Sequence, residues 1–256
     1  MPESGSVVLS TLEFDVLWEL ERLPVRHVAL DVPSPGRTHT ERAALVREAL
    51  AELERRGLAE GGRAVADLAD WLHLLAYPQI SIDSWVWTDH EIKSLAAATG
   101  NQGLLAVVEP REVWLIPARS TALADAAVSI AGVVPAGRGY SVSVATELLL
   151  AADGKTRGRP QELAAVLREN GVSTMDAKAL AAMLSGMDTR GQFCVERRQR
   201  DQQMRRADRV VAFHDNPDGR YAYLARPNNA GKTWSTITPA DNAMLASFVR
   251  ELLDEV

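Results

Sequence analysis

The segment 68–87, LADWLHLLAYPQISIDSWVW, changes its hydrophobic period at Pro78. Before the proline, leucines recur every three or four residues, the spacing that places them on one face of an amphipathic helix. After it the side chains alternate, with Ile80 and Ile82 on one face of a strand and Trp85 on the other. A helix that leads directly into an alternating strand predicts a chain that contains both helices and antiparallel sheet.

The same order of elements is found twice along the chain. Each half begins with a short strand, at residues 7–10 and 141–144, and continues with helices, several antiparallel strands and a last helix. We therefore predict an α+β fold built from a pseudo-twofold duplicated unit, with a central antiparallel sheet flanked by two helical bundles. No long linker separates the halves, so residues 1–256 are predicted to form a single domain with halves 1–135 and 136–256; two domains are the alternative.

Local signals predict the ends of several elements. Thr38 and Glu41 have the spacing of a capping box, in which each side chain satisfies a backbone N–H at the start of a helix. Ser173 and Asp176 have the same spacing. The segment 216–219, Asn-Pro-Asp-Gly, is typical of a turn between two strands.

The secondary structure of four further segments is predicted from less regular patterns. Residues 28–32, apolar apart from Asp31, are predicted to form a strand. Residues 92–98 fit either a further strand or a helical turn. Residues 153–160 are polar and Gly-rich, which predicts a loop. Thr238 and Pro239 are predicted to be the N-cap and the first residue of the last helix.

The composition excludes several classes of protein. Of the 256 residues 46% are hydrophobic and 24% are charged, as in an ordinary globular protein. Cys194 is the only cysteine, which excludes an internal disulfide framework and a Cys-rich zinc module. The net charge of −6 argues against general nucleic-acid binding. We expect a cytoplasmic protein without membrane insertion, because the first residues lack a basic signal region and no apolar stretch reaches the roughly 20 residues of a membrane helix.

The sequence shows no fingerprint of a catalytic or metal centre. No two of the five histidines have the spacing of a helical metal clip. Gly231-Lys232-Thr233 lacks the first glycine of a phosphate-binding loop and precedes a strand. We therefore expect no catalytic, cofactor-binding or metal-binding residues. The alternative is an enzyme or small-molecule-binding protein with a pocket between the two halves and His73 or Cys194 as its reactive group.

Three groups of side chains fit either packing or recognition. The arginine-rich segment 197–209, which includes Arg197 and Arg198, predicts a solvated hairpin or a basic rim that meets an acidic partner. Nucleic-acid binding by these arginines is a further alternative. Tryptophans and methionines at regular spacing serve both cores and adaptable binding surfaces. They are Trp85, Trp87, Met175, Met183 and Met187.

Taken in order along the chain, several segments resemble the EspG family, the cytosolic chaperones of type VII (ESX) secretion. They are residues 7–25 (VVLSTLEFDVLWELERLPV), 39–58 (HTERAALVREALAELERRGL), 68–87, 191–226 (GQFCVERRQRDQQMRRADRVVAFHDNPDGRYAYLAR) and 234–253 (WSTITPADNAMLASFVRELL). The resemblance covers nearly the whole chain. It implies a pseudo-twofold α+β fold and a non-enzymatic chaperone and adaptor without a cofactor. Such a chaperone binds the helical tip of a PE–PPE heterodimer, keeps it soluble and directs it to its secretion system.

The resemblance also implies where the partner binds. Members of the family hold the tip of their cargo with the sheet and the C-terminal helical bundle. Carried onto this chain, and with the basic rim included, the expected partner-binding residues are Gln192, Phe193, Met183, Met187, Arg197 and Arg198.

Further expectations concern the same surface. A loop around residues 91–101 is expected to be a second contact. The variant Phe193→Asp is expected to weaken binding without unfolding the protein. Without cargo, an apolar binding face also makes a homodimer plausible.

Overall fold

The computed structural model describes residues 5–156, 159–228 and 230–256. The internal contacts divide the chain into two units. Unit 1 consists of Met1–Trp85, Glu91–Ile130 and Glu196–Arg205, and unit 2 consists of Val86–His90, Ala131–Val195 and Arg206–Val256.

The first unit begins with a strand and continues with three helices, four further main strands and a short helix. Its helices are α1 (Thr11–Leu20), α2 (His39–Arg55), α3 (Ala66–Ala76) and α4 (Leu123–Ser129). Its strands are β1 (Val7–Ser10), β2 (Ala59–Glu60), β3 (Arg63–Ala64), β4 (Ile80–Trp87, of which the last two residues belong to unit 2), β5 (Glu91–Thr99), β6 (Gln102–Val108) and β7 (Glu112–Arg119). The small hairpin β2–β3 stands apart, and the other strands have the order β1-β7-β6-β5-β4.

The second unit has the same kind of content. Its helices are α5 (Thr146–Thr156), α6 (Pro160–Glu169), α7 (Thr174–Met183) and α8 (Asn242–Leu253). Its strands are β8 (Val142–Ala145), β9 (Thr189–Arg198, of which the last three residues belong to unit 1), β11 (Val211–Asn216), β12 (Gly219–Pro227) and β13 (Thr233–Pro239). The short strand β10 (Met204–Arg206), of which only Arg206 belongs to unit 2, pairs with β9. The strands follow the order β8-β13-β12-β11-β9.

The two units share one topology. In each, the first strand pairs antiparallel with the last strand, β1 with β7 and β8 with β13. In each, that first strand also leads directly into a helix, and three helices precede the other strands of the main sheet. The predicted α+β class and antiparallel pairing are confirmed. The repeated topology agrees with the predicted duplication, whose pseudo-twofold relation stays a prediction.

Two buried carboxylates stabilise α1 in unit 1. Glu13 accepts a hydrogen bond from the N–H of Ser10 at 2.7 Å and forms an ion pair with Arg56 at 3.1 Å. Asp15 pairs with Arg26 at 2.7 Å and with Arg42 at 2.8 Å. Because Arg42 and Arg56 belong to α2 and its C-cap, the two acids fasten α1 to α2 and keep their own charges compensated.

One buried cation organises unit 2. Arg220 has no exposed surface and forms a bidentate pair with Asp215, with N–O distances of 2.7 and 2.8 Å. The remaining N–H groups donate to the carbonyl oxygens of Ala131 and Gly132 and to the side chain of Asn242 at the start of α8. Arg220 therefore connects the hairpin of β11 and β12 with the chain before β8 and with α8.

The predicted local signals are mostly confirmed. Thr38 and Glu41 form the capping box of α2, and Ser173 accepts a hydrogen bond from the N–H of Asp176 at the start of α7. Residues 216–219 form the turn between β11 and β12, in which Oδ1 of Asn216 accepts a hydrogen bond from the N–H of Asp218 at 2.8 Å.

Two predictions of the less regular stretches are wrong. Residues 28–30 form a 3-10 turn and not a strand, because neighbouring Ala29 and Leu30 are both buried and no alternation remains. Thr238 and Pro239 end β13, where Pro239 pairs with Tyr221, and the N-cap of α8 is Asp241. Sheet pairing has overridden the local capping signal there.

Two segments expected to contain loops, residues 91–101 and 153–160, consist mostly of regular secondary structure. Residues 91–99 form strand β5, paired with β6 from Lys93 to Thr99, so the strand alternative is correct and the expected loop over 91–101 is not present. In the predicted loop 153–160, α5 continues to Thr156 and α6 begins at Pro160, because proline fits the first helical position. Residues 157 and 158 of that loop lie outside the described residues.

The buried pair predicts a large loss of stability on truncation. Arg220→Ala leaves the Asp215 carboxylate buried without its cation, so we expect unfolding to become easier by about 3–5 kcal/mol in urea titrations. Arg226→Ala on the same strand is the control, because the Arg226–Glu251 pair is about half exposed and contributes less than about 1 kcal/mol. Equal losses in the two variants would contradict the role given to Arg220.

Candidate functional site

Unit 2 contains an apolar cavity of about 390 Å³ between one face of its sheet and helices α5 to α7. We call it the apolar cavity. Its apolar lining includes Trp87, Leu149, Leu150, Pro160, Leu163, Ala181, Leu184, Met187, Ala212 and Tyr223. The polar part of the lining is smaller and includes Asp153, Arg190, Gln192 and His214.

Strand register decides which side chains face the cavity. Gln192 on β9 lies opposite Ala212 on β11, which lies opposite Tyr223 on β12. All three residues line the cavity. Side chains two residues apart on a strand share a face, which adds Arg190 and His214 to this side of the sheet. Of the predicted partner-binding residues, Gln192 is therefore well placed.

Phe193 follows Gln192 and points to the opposite face. It lies opposite Val211 and stacks on Phe213 with ring centroids 5.6 Å apart. Its side chain has no exposed surface. A partner cannot reach this side chain in the folded protein, so the expectation that Phe193→Asp leaves the fold intact is corrected by its burial.

The two predicted methionines have different environments. Met183 ends α7 and is 2% exposed, and its carbonyl oxygen accepts hydrogen bonds from His214 and Asn216. Met187 lies in the connection from α7 to β9, lines the cavity and is 48% exposed. Met187 is accessible to a partner, whereas Met183 supports the cavity from inside the core.

The predicted basic residues lie elsewhere. Arg198 donates to the carbonyl oxygens of Pro78 at 3.1 Å and Gln202 at 3.0 Å, which holds its guanidinium against the backbone. Arg197 is half-buried. Neither residue lines the apolar cavity, and a role of either in binding stays a prediction.

Leu150 is a site residue that the sequence reasoning missed. It belongs to a run of three leucines, Leu148 to Leu150, at the start of α5. Three consecutive residues on a helix cannot all face one side, and Leu150 is left 63% exposed at the cavity while Leu149 is buried. A leucine run within a helix was therefore the signal that could have identified this surface.

His214 is the buried titratable group of the cavity. Its Nε2 lies 2.8 Å from the carbonyl oxygen of Met183, so this nitrogen carries the proton. Its ring stacks on Tyr221 at 5.5 Å. Burial lowers the pKa of His214, although the hydrogen bond to Met183 and the charge of Asp215 act in the opposite direction. The imidazole is therefore held neutral, as a donor that joins α7 to β11.

The groups proposed for the enzyme alternative do not line this cavity. His73 is exposed on α3 and stacks on Tyr77 at 6.2 Å. Cys194 is 2% exposed, with its sulfur 3.9 Å from the carbonyl oxygens of Ala207 and Arg209. At this burial the thiol is not accessible to a substrate.

One cluster in unit 1 has ligand types suited to a metal. Atoms of His27, Asp83 and Glu196 lie within 4.8 Å of one another. Nδ1 of His27, however, accepts the N–H of Ala29 at 3.1 Å, so the proton of the neutral ring is on Nε2, which faces Glu196. A metal needs the lone pair of that nitrogen. The arrangement therefore suits a hydrogen bond from the Nε2–H of His27 to a carboxylate better than it suits a metal centre.

A larger depression of about 710 Å³ in unit 1 lies between β6, β7 and α4, with Trp114 and Ile116 in its lining. None of the predicted site residues contributes to it. The apolar cavity, which Gln192 and Met187 line, is therefore the better candidate. Within the described residues we find no helix with the length and apolar character that crossing a bilayer requires.

The opposite orientations of neighbouring residues on β9 give a stability prediction. Phe193→Asp places a carboxylate in the core and is expected to unfold unit 2, seen as lost thermal cooperativity. Gln192→Asp introduces the same residue at the partly exposed cavity face and is expected to remain folded. Two folded variants with similar melting temperatures would show that Phe193 is not part of the core.

The neutral state of His214 gives a pH prediction. Its pKa is lowered in the folded state, so as the pH falls through about 6.5 the unfolded chain takes up a proton first and the native state loses stability. We expect the free energy of unfolding to fall more between about pH 7.5 and 5.5 in the wild type than in His214→Gln, which retains a donor. Parallel pH profiles in urea titrations would contradict this.

Comparisons with known proteins agree with this architecture. No curated protein matches the chain. Among solved structures, the chaperone EspG5 of the Mycobacterium tuberculosis type VII secretion system, determined in complex with a PE25-PPE41 dimer, superposes with a TM-score of 0.77. The two chains are 18% identical, over 97% of this chain and 96% of that chain. The model of the EspG family matches residues 10–251, and the protein belongs to this family.

Proposed function

We propose that the protein is a non-enzymatic, cytoplasmic chaperone and adaptor of a type VII secretion system. It binds the helical tip of a PE–PPE-type heterodimer, keeps that cargo soluble and directs it to its secretion system. The observation that carries the proposal is the apolar cavity, which stays open to solvent beside exposed Leu150 and Met187. Membership of the EspG family and the complex formed by the structural neighbour EspG5 support it.

The physical task explains the form of the site. A cargo with an apolar helical tip aggregates unless another surface covers that tip. Leu150 and Met187 offer apolar surface at the edge of the cavity, while the aromatic ring of Tyr223 lines its wall. An apolar side chain of the cargo is buried there, and surrounding polar contacts complete an interface on the order of 1,600 Å².

The proposal gives the predicted binding residues different roles. Gln192 and Met187 contact the cargo directly, which their position in the lining of the cavity supports. Met183 acts from the core by fixing the end of α7. Arg197 and Arg198 remain candidates for the outer rim of the interface, where charges tune the rate of association.

The same apolar surface has a consequence when no cargo is present. Leu150 and Met187 then remain in water, which favours pairing of two copies through their cavities. If the same surface serves both purposes, the free chaperone forms a homodimer that dissociates when cargo binds.

Substitution by acidic residues at the edge of the apolar cavity tests whether the cavity binds cargo. PE–PPE-type pairs from the genome that encodes the chain are co-expressed one at a time with the wild type and with Leu150→Glu/Met187→Glu. We expect the double variant to bind at least roughly tenfold more weakly, because two carboxylates would have to be desolvated against apolar cargo. Titration calorimetry of the purified components measures the affinity.

Met175→Glu is the matched control for this test. Met175 is 72% exposed on α7 and does not line the cavity, so its variant is expected to bind as the wild type does. Unchanged melting temperatures show that all three proteins are folded. Full binding by the double variant, or retention of no PE–PPE pair by the wild type, would contradict the proposed function.

A further inference from the structure

An arginine lies over the ring of a tryptophan at the apolar cavity. The guanidinium of Arg190 is 5.8 Å from the ring centroid of Trp87, and both residues line the cavity. Arg190 is exposed. A guanidinium within about 6 Å of an indole is attracted to its face, so Trp87 restrains a charged group beside an apolar opening.

The contact with the ring does not pair the guanidinium of Arg190 with an acidic side chain. The five N–H donors of arginine lie in the plane of the group and point outward as a fork. Among the described residues, no carboxylate lies within ion-pair distance of Arg190. The N–H donors of Arg190 are therefore not used by an acidic side chain of the described residues.

Charges around the cavity are unevenly distributed. Among the described residues of the lining, Arg190 is the cation and Asp153 is the anion, whereas burial lowers the pKa of His214 and favours its neutral form. Asp153 is exposed on α5, whereas Arg190 belongs to β9. A bound helix thus meets a positive group on the strand side of the opening and a negative group on the helix side.

We propose that Arg190 determines specificity by binding a carboxylate of the partner helix, next to the apolar side chain that enters the cavity. This inference rests on the proposed function and names the chemistry of its partner. An Asp or Glu side chain accepts two parallel hydrogen bonds from the planar fork, which a neutral amide cannot do as strongly. Asp153 repels a carboxylate placed on the other side, so the pair also selects the orientation of the helix.

The test uses a display library of helical peptides with one fixed leucine on the exposed face and the neighbouring positions of that face randomised. Selection is performed on the full-length wild type and on Arg190→Glu. We expect Asp and Glu to be enriched about fivefold or more at one neighbouring position for the wild type, and Lys and Arg to replace them for Arg190→Glu. Arg47→Glu, an equal charge change on exposed α2, is the control and is expected to select as the wild type does.

Affinities of one selected peptide separate charge from geometry. We expect the wild type to bind a glutamate peptide about tenfold more tightly than its glutamine counterpart, and Arg190→Lys to retain only part of this difference, because an ammonium is not a planar fork. The same preference in Arg190→Glu as in the wild type, or no acidic preference in the wild type, would overturn the assignment of Arg190.

The outcomes also distinguish this inference from the proposed function. Peptides that bind without charge preference and are lost in Leu150→Glu/Met187→Glu would overturn the role of Arg190 and leave the cavity as a docking site. Failure to select any leucine-dependent peptide that requires Leu150 and Met187 would overturn both.

Discussion

The Asp215–Arg220 pair is the constraint on which unit 2 depends. A fully buried guanidinium is tolerated only when its charge and its N–H groups are satisfied, and here they fix the β11–β12 hairpin, the chain before β8 and the start of α8 together. The pair occupies one face of the strands. The other face, with Ala212 and Tyr223, is thereby left to helices α5 to α7 and to the apolar cavity.

The division into two faces separates stability from recognition. Phe193 and Phe213 stack on the side of Arg220, whose guanidinium lies 4.7 Å from the ring centroid of Phe213. On the cavity side, packing is incomplete, and apolar side chains remain in contact with water. A protein that covers the apolar tip of another must keep such a surface accessible, and a rigid opposite face supplies the stability that the open face lacks.

Much of this fold could be predicted from the sequence, because its signals are local. The change of period at Pro78 predicts the passage from α3 to β4, and the capping box at Thr38 predicts the start of α2. Alternation on β9 indicates that Gln192 and Phe193 face opposite sides, but it does not tell which of the two side chains is buried. Nor does any local pattern predict that Arg220 is buried, since this depends on Asp215 and Asn242 from other elements.

Hydrogen–deuterium exchange of the chain, alone and bound to a PE–PPE-type pair that co-purifies with it, tests the central claim most directly. If the cargo tip occupies the apolar cavity, the amides of α5 and of the connection from α7 to β9 become protected in the complex, while those of α2 exchange as before. Protection confined to other segments, with unchanged exchange around Leu150 and Met187, would contradict this account of how the chaperone holds its cargo.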